Sequence, residues 1–245
     1  MNSKFKYMKY QILFLLCGLA TSAHSQSLQL HYDFRHSMDP ARNSKDFSSL
    51  VFEEWKSQDY GSFDFKGQVD FTGDEGNVGQ IYMQAQQSLK FWEPTIFIFL
   101  EYSGGVGVTD PGLFGYHINN AFSAGGSYLF SWEGTWFSPS VVYKYTVFIK
   151  PSHDVMLSLY WGRNFFDDKI SFAGDFEVWG ENRNHGDAAT INETGKRTIF
   201  YAEPQIWYNL NESFSVGTKV NLYYHVLAYE NSFQIYPTAA VSYRF

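Results

Sequence analysis

Residues 233–245, FQIYPTAAVSYRF, constrain the chain more than any other stretch. In steps of two, one face reads Phe233, Ile235, Pro237, Ala239, Val241, Tyr243, Phe245. The other reads Gln234, Tyr236, Thr238, Ala240, Ser242, Arg244. A strand sends alternate side chains to opposite sides, so this is a strand with one apolar and one mostly polar face. At about thirteen residues it exceeds the common strand of a soluble domain and can cross a membrane with tilt.

The other end of the chain points to export. Lys4, Lys6 and Lys9 precede a short apolar run, residues 12–20, and small residues at 21–25 supply a cleavage site. That is the pattern of a cleaved secretory signal over residues 1–25, too short to span a membrane as a helix. Cys17, the only cysteine, lies inside it, with Leu16 where a lipoprotein signal would want a small residue. The mature chain, 26–245, is expected to be one domain without disulfides or thiolate metal sites. The signal removes three lysines and no acid, leaving 15 basic and 25 acidic residues, a formal charge of −10. That balance argues against a nucleic-acid partner, which needs clustered Lys and Arg.

Aromatic residues make up 20% of the chain, yet the mean hydropathy is −0.29. A transmembrane barrel reconciles the two. Only alternate residues meet lipid, while two interfacial girdles demand Tyr, Trp and Phe. No mature segment resembles a spanning helix. The longest stretch free of Asp, Glu, Lys and Arg, residues 111–132, is broken by four glycines and by Asn119-Asn120.

Period-two alternation separated by turn residues predicts twelve strands: 28–38, 46–57, 62–72, 80–92, 95–103, 116–130, 135–149, 153–163, 169–180, 196–208, 214–226 and 233–245. Nearly all the long connections (39–45, 73–79, 104–115, 181–195) follow odd strands, and those after even strands are short. The last of these, hydrophilic, is expected to be mobile, and 104–115 is expected to be a glycine-rich loop. Short turns at one end and longer loops at the other are the pattern of an outer-membrane barrel, and a sandwich has no reason to sort its loops so. The fold class expected is therefore all-β, an antiparallel up-and-down transmembrane barrel of about 12 strands. Lipid leaves no backbone group unpaired, so 233–245 must close on 28–38. Phe34 and Val241 then face lipid, and Arg35 points inward.

A barrel of this size leaves a narrow lumen. The inward faces supply Asp33, Arg35, Asp64, Lys66, Asp70, Glu101, Lys144, Asp175, Glu177, Glu203, Lys219 and Arg244, with Trp179, Tyr201, Trp207, Tyr223 and Tyr236 among them. Such groups either pair across the lumen or line a solute path in which ring faces stack a planar group and carboxylates accept from hydroxyls. The residues expected to carry a path are Asp33, Arg35, Asp64, Lys66, Asp175, Glu177, Trp179, Glu203, Lys219 and Tyr223. His31, His153 and His225 are expected at interfaces or loops. No catalytic pair is expected: there is no His-x-Ser, and the adjacent His36 and Ser37 point to opposite faces of a strand. No cofactor or metal is expected either. Gly104-Gly105-Val106-Gly107 opens no helix, and Asp74, Glu75 and Asn77 lack the spacing of a calcium loop.

The chain ends aromatic-x-aromatic, Tyr243-Arg244-Phe245, and so resembles the C-terminal strand by which outer-membrane barrels reach the barrel-assembly machinery. His31-Tyr32-Asp33-Phe34-Arg35, the strands at 50–55 and 62–70, the segment 88–94 and residues 241–245 together resemble the nucleoside-specific channel family of outer-membrane proteins (Tsx-like), in a Bacteroidetes branch. The resemblance implies a monomeric twelve-stranded barrel in outer-membrane lipid. It implies a narrow pore passing nucleosides by aromatic and ionisable contacts, to which Phe34 and Arg35 of the first strand contribute.

Overall fold

The structure, a computed structural model, describes residues 26–58, 60–93, 95–109, 114–227 and 230–245. The signal expected over 1–25 lies outside the described residues. The strands are β1 (Gln26–Asp33), β2 (Phe47–Gln58), β3 (Gly61–Asp70), β4 (Gln80–Leu89), β5 (Ile96–Val108), β6 (Gly115–Tyr128, continuing as Phe130–Trp132), β7 (Thr135–Thr146), β8 (Ser152–Phe165), β9 (Ile170–Asn182), β10 (Lys196–Ala202, continuing as Gln205–Asn209), β11 (Phe214–Tyr224) and β12 (Gln234–Arg244). Each pairs antiparallel with its sequence neighbours, and β12 pairs with β1, so twelve strands close a barrel.

Closure follows the alternation of the two end strands. Leu28 stands opposite Tyr243, Leu30 opposite Val241 and Tyr32 opposite Ala239. The Phe245 N–H donates to the Gln26 carbonyl at 3.1 Å. Leu30, Val241 and Ile235 are about half exposed, whereas Gln29, His31, Asp33, Gln234, Thr238 and Ser242 are buried. Apolar groups outside and polar groups inside invert the pattern of a soluble protein and suit a wall facing lipid.

The two interrupted strands keep their register across the break. On β10, Ala202 pairs with Phe176 and Gln205 with Ala173. Pro204 has no N–H to give to the ladder, and its ring lies against Gly174, where a Cβ would stand 2.8 Å from the Pro204 Cα. Loops sort as expected: residues 34–46, 71–79, 109–114, 147–151, 183–195 and 225–233 join strands at one end, and the connections at the other end are mostly shorter.

Three expectations fail locally. The first strand stops at Asp33 instead of Met38. The Asp33 carboxylate accepts the Arg35 backbone N–H at 2.9 Å, and Phe34 (φ −92°, ψ 23°) leaves the extended region, so α1 (Arg35–Met38) forms one helical turn. Arg35 still reaches inward, but by that turn and not by alternation. Second, residues 104–108 are not loop. They end β5 after a bulge between Ser103 and Gly105, where a Cβ on Gly105 would meet the Ile81 carbonyl of β4. Third, 183–195 is built onto the barrel mouth, as described next.

Candidate functional site

A cavity of about 530 Å³ runs from the long-loop mouth to mid-barrel. Tyr116, His117 and Leu227 are at its rim, and Lys66, Gln84, Glu177 and Glu203 at its base. Every described lining residue lies in the half of the barrel that carries the long loops.

The base is a layer of bonded polar side chains. Glu203 accepts from Lys66 and, at 2.6 Å, from Lys219. Lys66 and Glu203 come from positions 137 apart in sequence. Beside them the Gln86 amide donates to Glu101 at 2.8 Å and to the Tyr160 hydroxyl at 2.5 Å, and Tyr160 donates to Glu177 at 3.1 Å. Below it, inward side chains bond one another. His31 bonds Thr238 at 3.0 Å and Gln29 at 2.9 Å and meets the Trp207 ring edge-on. Ser140 and Ser158 hydroxyls bond at 2.6 Å. His31 is thus a buried inward group, contrary to the interfacial place expected for it. His153 does face outward, and His225 is held by the Thr198 carbonyl and Asn231.

Of the residues expected on a solute path, Lys66, Glu177, Trp179, Glu203 and Tyr223 line this cavity. Lys219 stands behind Glu203. Asp64 and Asp175 share the inward faces of β3 and β9 with lining residues but are not in the lining. Asp33 and Arg35 form an ion pair of 2.9 Å at the outer end of β1, with the guanidinium 4.6 Å from the Phe47 ring and 5.2 Å from that of Tyr236. That pair braces the rim and does not line the cavity. Lys144, Tyr82, Tyr116 and His185 line it too. Lys144 is inward by parity, but parity gives no depth, and no local pattern marks His185. His36 bonds the Asn43 carbonyl and Ser37 bonds Asp46, so the two do not act on each other.

His185 is there because 183–195 folds down. Its ring stacks on Phe148 with centroids 3.8 Å apart, its carbonyl accepts the Lys150 N–H at 2.8 Å, and its N–H donates to Thr190 Oγ1 at 2.9 Å. Asp187 holds the turn, accepting from the backbone N–H of Thr190 and of Ala189, each at 2.9 Å. The Thr190 N–H holds the Asp187 carboxyl below the usual aspartate range. A depressed pKa contributes stability above the ordinary value that is lost as pH falls through the depressed one. Amide-exchange protection in 183–195 is therefore expected to lose the Asp187 contribution as pH falls below the ordinary aspartate range. Asp187→Asn, followed by the same exchange measurement, should remove the pH step.

A closed twelve-stranded antiparallel barrel with an apolar outer wall and a polar interior has the fold of porin-like outer-membrane barrels. The NanC porin shares the fold with a TM-score of 0.54 at 8% identity, over 90% of this chain and 100% of that one. The COG4313 outer membrane channel from Pseudomonas putida F1 does so at 0.52 and 10%, over 92% and 97%. The chain belongs to the family described as Domain of unknown function (DUF5020), whose model matches residues 25–245. No curated protein matches the sequence.

Proposed function

We propose that the protein is an outer-membrane channel admitting small hydrophilic solutes at its long-loop mouth, with nucleosides as the leading solute class. It is exported by a cleaved signal over 1–25, assembles through its Tyr243-Arg244-Phe245 end and works as a monomer. The observation that carries this reading is the mouth-facing cavity of about 530 Å³, within the range of small-molecule sites. Its wall alternates ring faces (Trp179, Tyr82, Tyr201, Tyr223) with hydrogen-bonding groups (Gln84, Glu177, Glu203). Flat rings stack on the former, and hydroxyls donate to the latter. The names of the two neighbours, a porin and a channel, support the class of activity and not the solute.

Passage requires the base to open, since Lys66, Glu203 and Lys219 bridge the lumen. That observation favours a second reading, a barrel with a closed lumen and a structural role. Proteoliposome swelling separates the two. The channel reading expects swelling with uridine and adenosine, faster than with a sugar of similar size. No swelling with any of these solutes would sink it and leave the closed barrel.

A further inference from the structure

The cavity wall holds one buried cation without a carboxylate partner. Lys144, on β7, is 6% exposed and lines the cavity. Its ammonium lies 3.9 Å from the centroid of the Trp179 ring and 3.5 Å from the Met156 sulfur. Beneath it Phe99, Val142 and Met156 make an apolar cluster inside the barrel, with Trp179 packed on it. Among the described residues no carboxylate comes within ion-pair distance. Asp154, directly opposite on β8, instead takes Lys196 and, at 2.5 Å, the Ser152 hydroxyl. Glu101 and Glu181 act on Lys144 only through longer-range attraction.

Two further polar groups at this place also lack a protein partner. Ser123 is the cross-strand neighbour of Lys144 on β6, and Thr146 follows it on the same face of β7. The Ser123 and Thr146 hydroxyl oxygens are buried with no hydrogen-bond partner among the described residues. A buried ammonium over an apolar floor is costly unless an anion meets it, and buried hydroxyls are costly unless bonded.

We propose that Lys144 and Thr146 of the lining, with Ser123 beside Lys144 just outside it, form a subsite for one singly charged anionic group, a carboxylate, of a small solute in this cavity. The inference rests on the solute-binding reading above but not on its nucleoside choice: it puts an acidic solute in place of a neutral nucleoside. One ammonium and two hydroxyl donors match the acceptors of a single carboxylate. Glu177 and Glu181 also line the cavity, so a second negative charge is repelled and a phosphomonoester dianion is disfavoured.

The test is calorimetric titration of the full mature barrel in detergent with glucuronate, glucose and glucose 6-phosphate. The expected order is glucuronate tightest. In Lys144→Met the glucuronate affinity should fall about tenfold or more, since a charge-assisted bond is lost, and should fall by a larger factor than the glucose affinity does. Lys144→Arg should keep most of it, and Thr146→Val and Ser123→Ala should each cost a few-fold. Folding of each variant is checked by its shifted gel mobility without boiling. A folded Lys144→Met that binds glucuronate as the wild type does overturns the proposal. So does a wild type that does not prefer glucuronate to glucose, or that binds glucose 6-phosphate equally well. Binding in solution needs no passage, so failed swelling with intact binding removes the channel and leaves the subsite, and the reverse removes only the subsite.

Discussion

Glu203→Ala is expected to cost the barrel about 3–5 kcal/mol, enough to leave much of the protein unassembled. Glu203 is the shared acceptor of Lys66 and Lys219, and all three side chains are largely withdrawn from solvent. Removing it leaves two buried ammonium groups without their shared acceptor, with Asp175 acting on them only at longer range. Breaking a buried ionic group by deleting one member is far worse than replacing the whole group, because the remaining charge keeps its desolvation cost. The triple change Lys66→Met, Glu203→Leu, Lys219→Met should therefore recover most of the loss. Urea unfolding in lipid vesicles, read by gel mobility without boiling, measures both. A Glu203→Ala barrel as stable as the wild type would mean that the lysines find other partners or water.

The second large effect is at the seam. Deleting Phe245, or making Tyr243→Asp, is expected to abolish most folded barrel in the membrane without touching a cavity residue. Tyr243 packs against Phe214 with ring centroids 4.8 Å apart and against Phe245 at 5.0 Å. Two such contacts are worth about 0.5–1.5 kcal/mol each. Deleting Phe245 also removes the last closing hydrogen bond, to Gln26, in a seam whose open edge lipid cannot satisfy. Aspartate at 243 adds a charge on the lipid face. Tyr243→Phe keeps the rings and should assemble normally. Membrane-fraction yield of heat-modifiable protein is the readout, and wild-type yield from the deletion would refute the role of this end.

Much of the fold is legible in single segments. In residues 233–245 and 214–226 the alternation alone separates lipid-facing from lumen-facing side chains, and burial alternates with it over 234–243 and 214–221; in 169–180 it is blurred, because Gly174 on the outer set is covered by Pro204 and Trp161. Parity is set by the backbone itself and needs no partner. The exceptions have local chemical causes that alternation does not register. Asp33 captures a backbone N–H and ends β1 early. The glycines at 104, 105 and 107, which read as loop, instead let β5 approach its neighbours through a bulge. The hydrophilic run 183–195 reads as free in solvent, but Asp187 and Thr190 tie it into a turn that seats His185 on Phe148.

The candidate site divides along the same line. The sequence by itself determined that Lys66, Lys144, Glu177, Trp179, Glu203 and Lys219 face inward and that β12 must meet β1. Only the tertiary structure decided which of them meet. Strand tilt and shear set the depth at which positions on distant strands face each other across the lumen, and neither is written in the two-residue period of any one strand. Hence Lys66 finds Glu203 across the barrel and closes its middle, Arg35 is drawn to the rim by a turn, and Lys144 is left over an apolar floor with no carboxylate of its own.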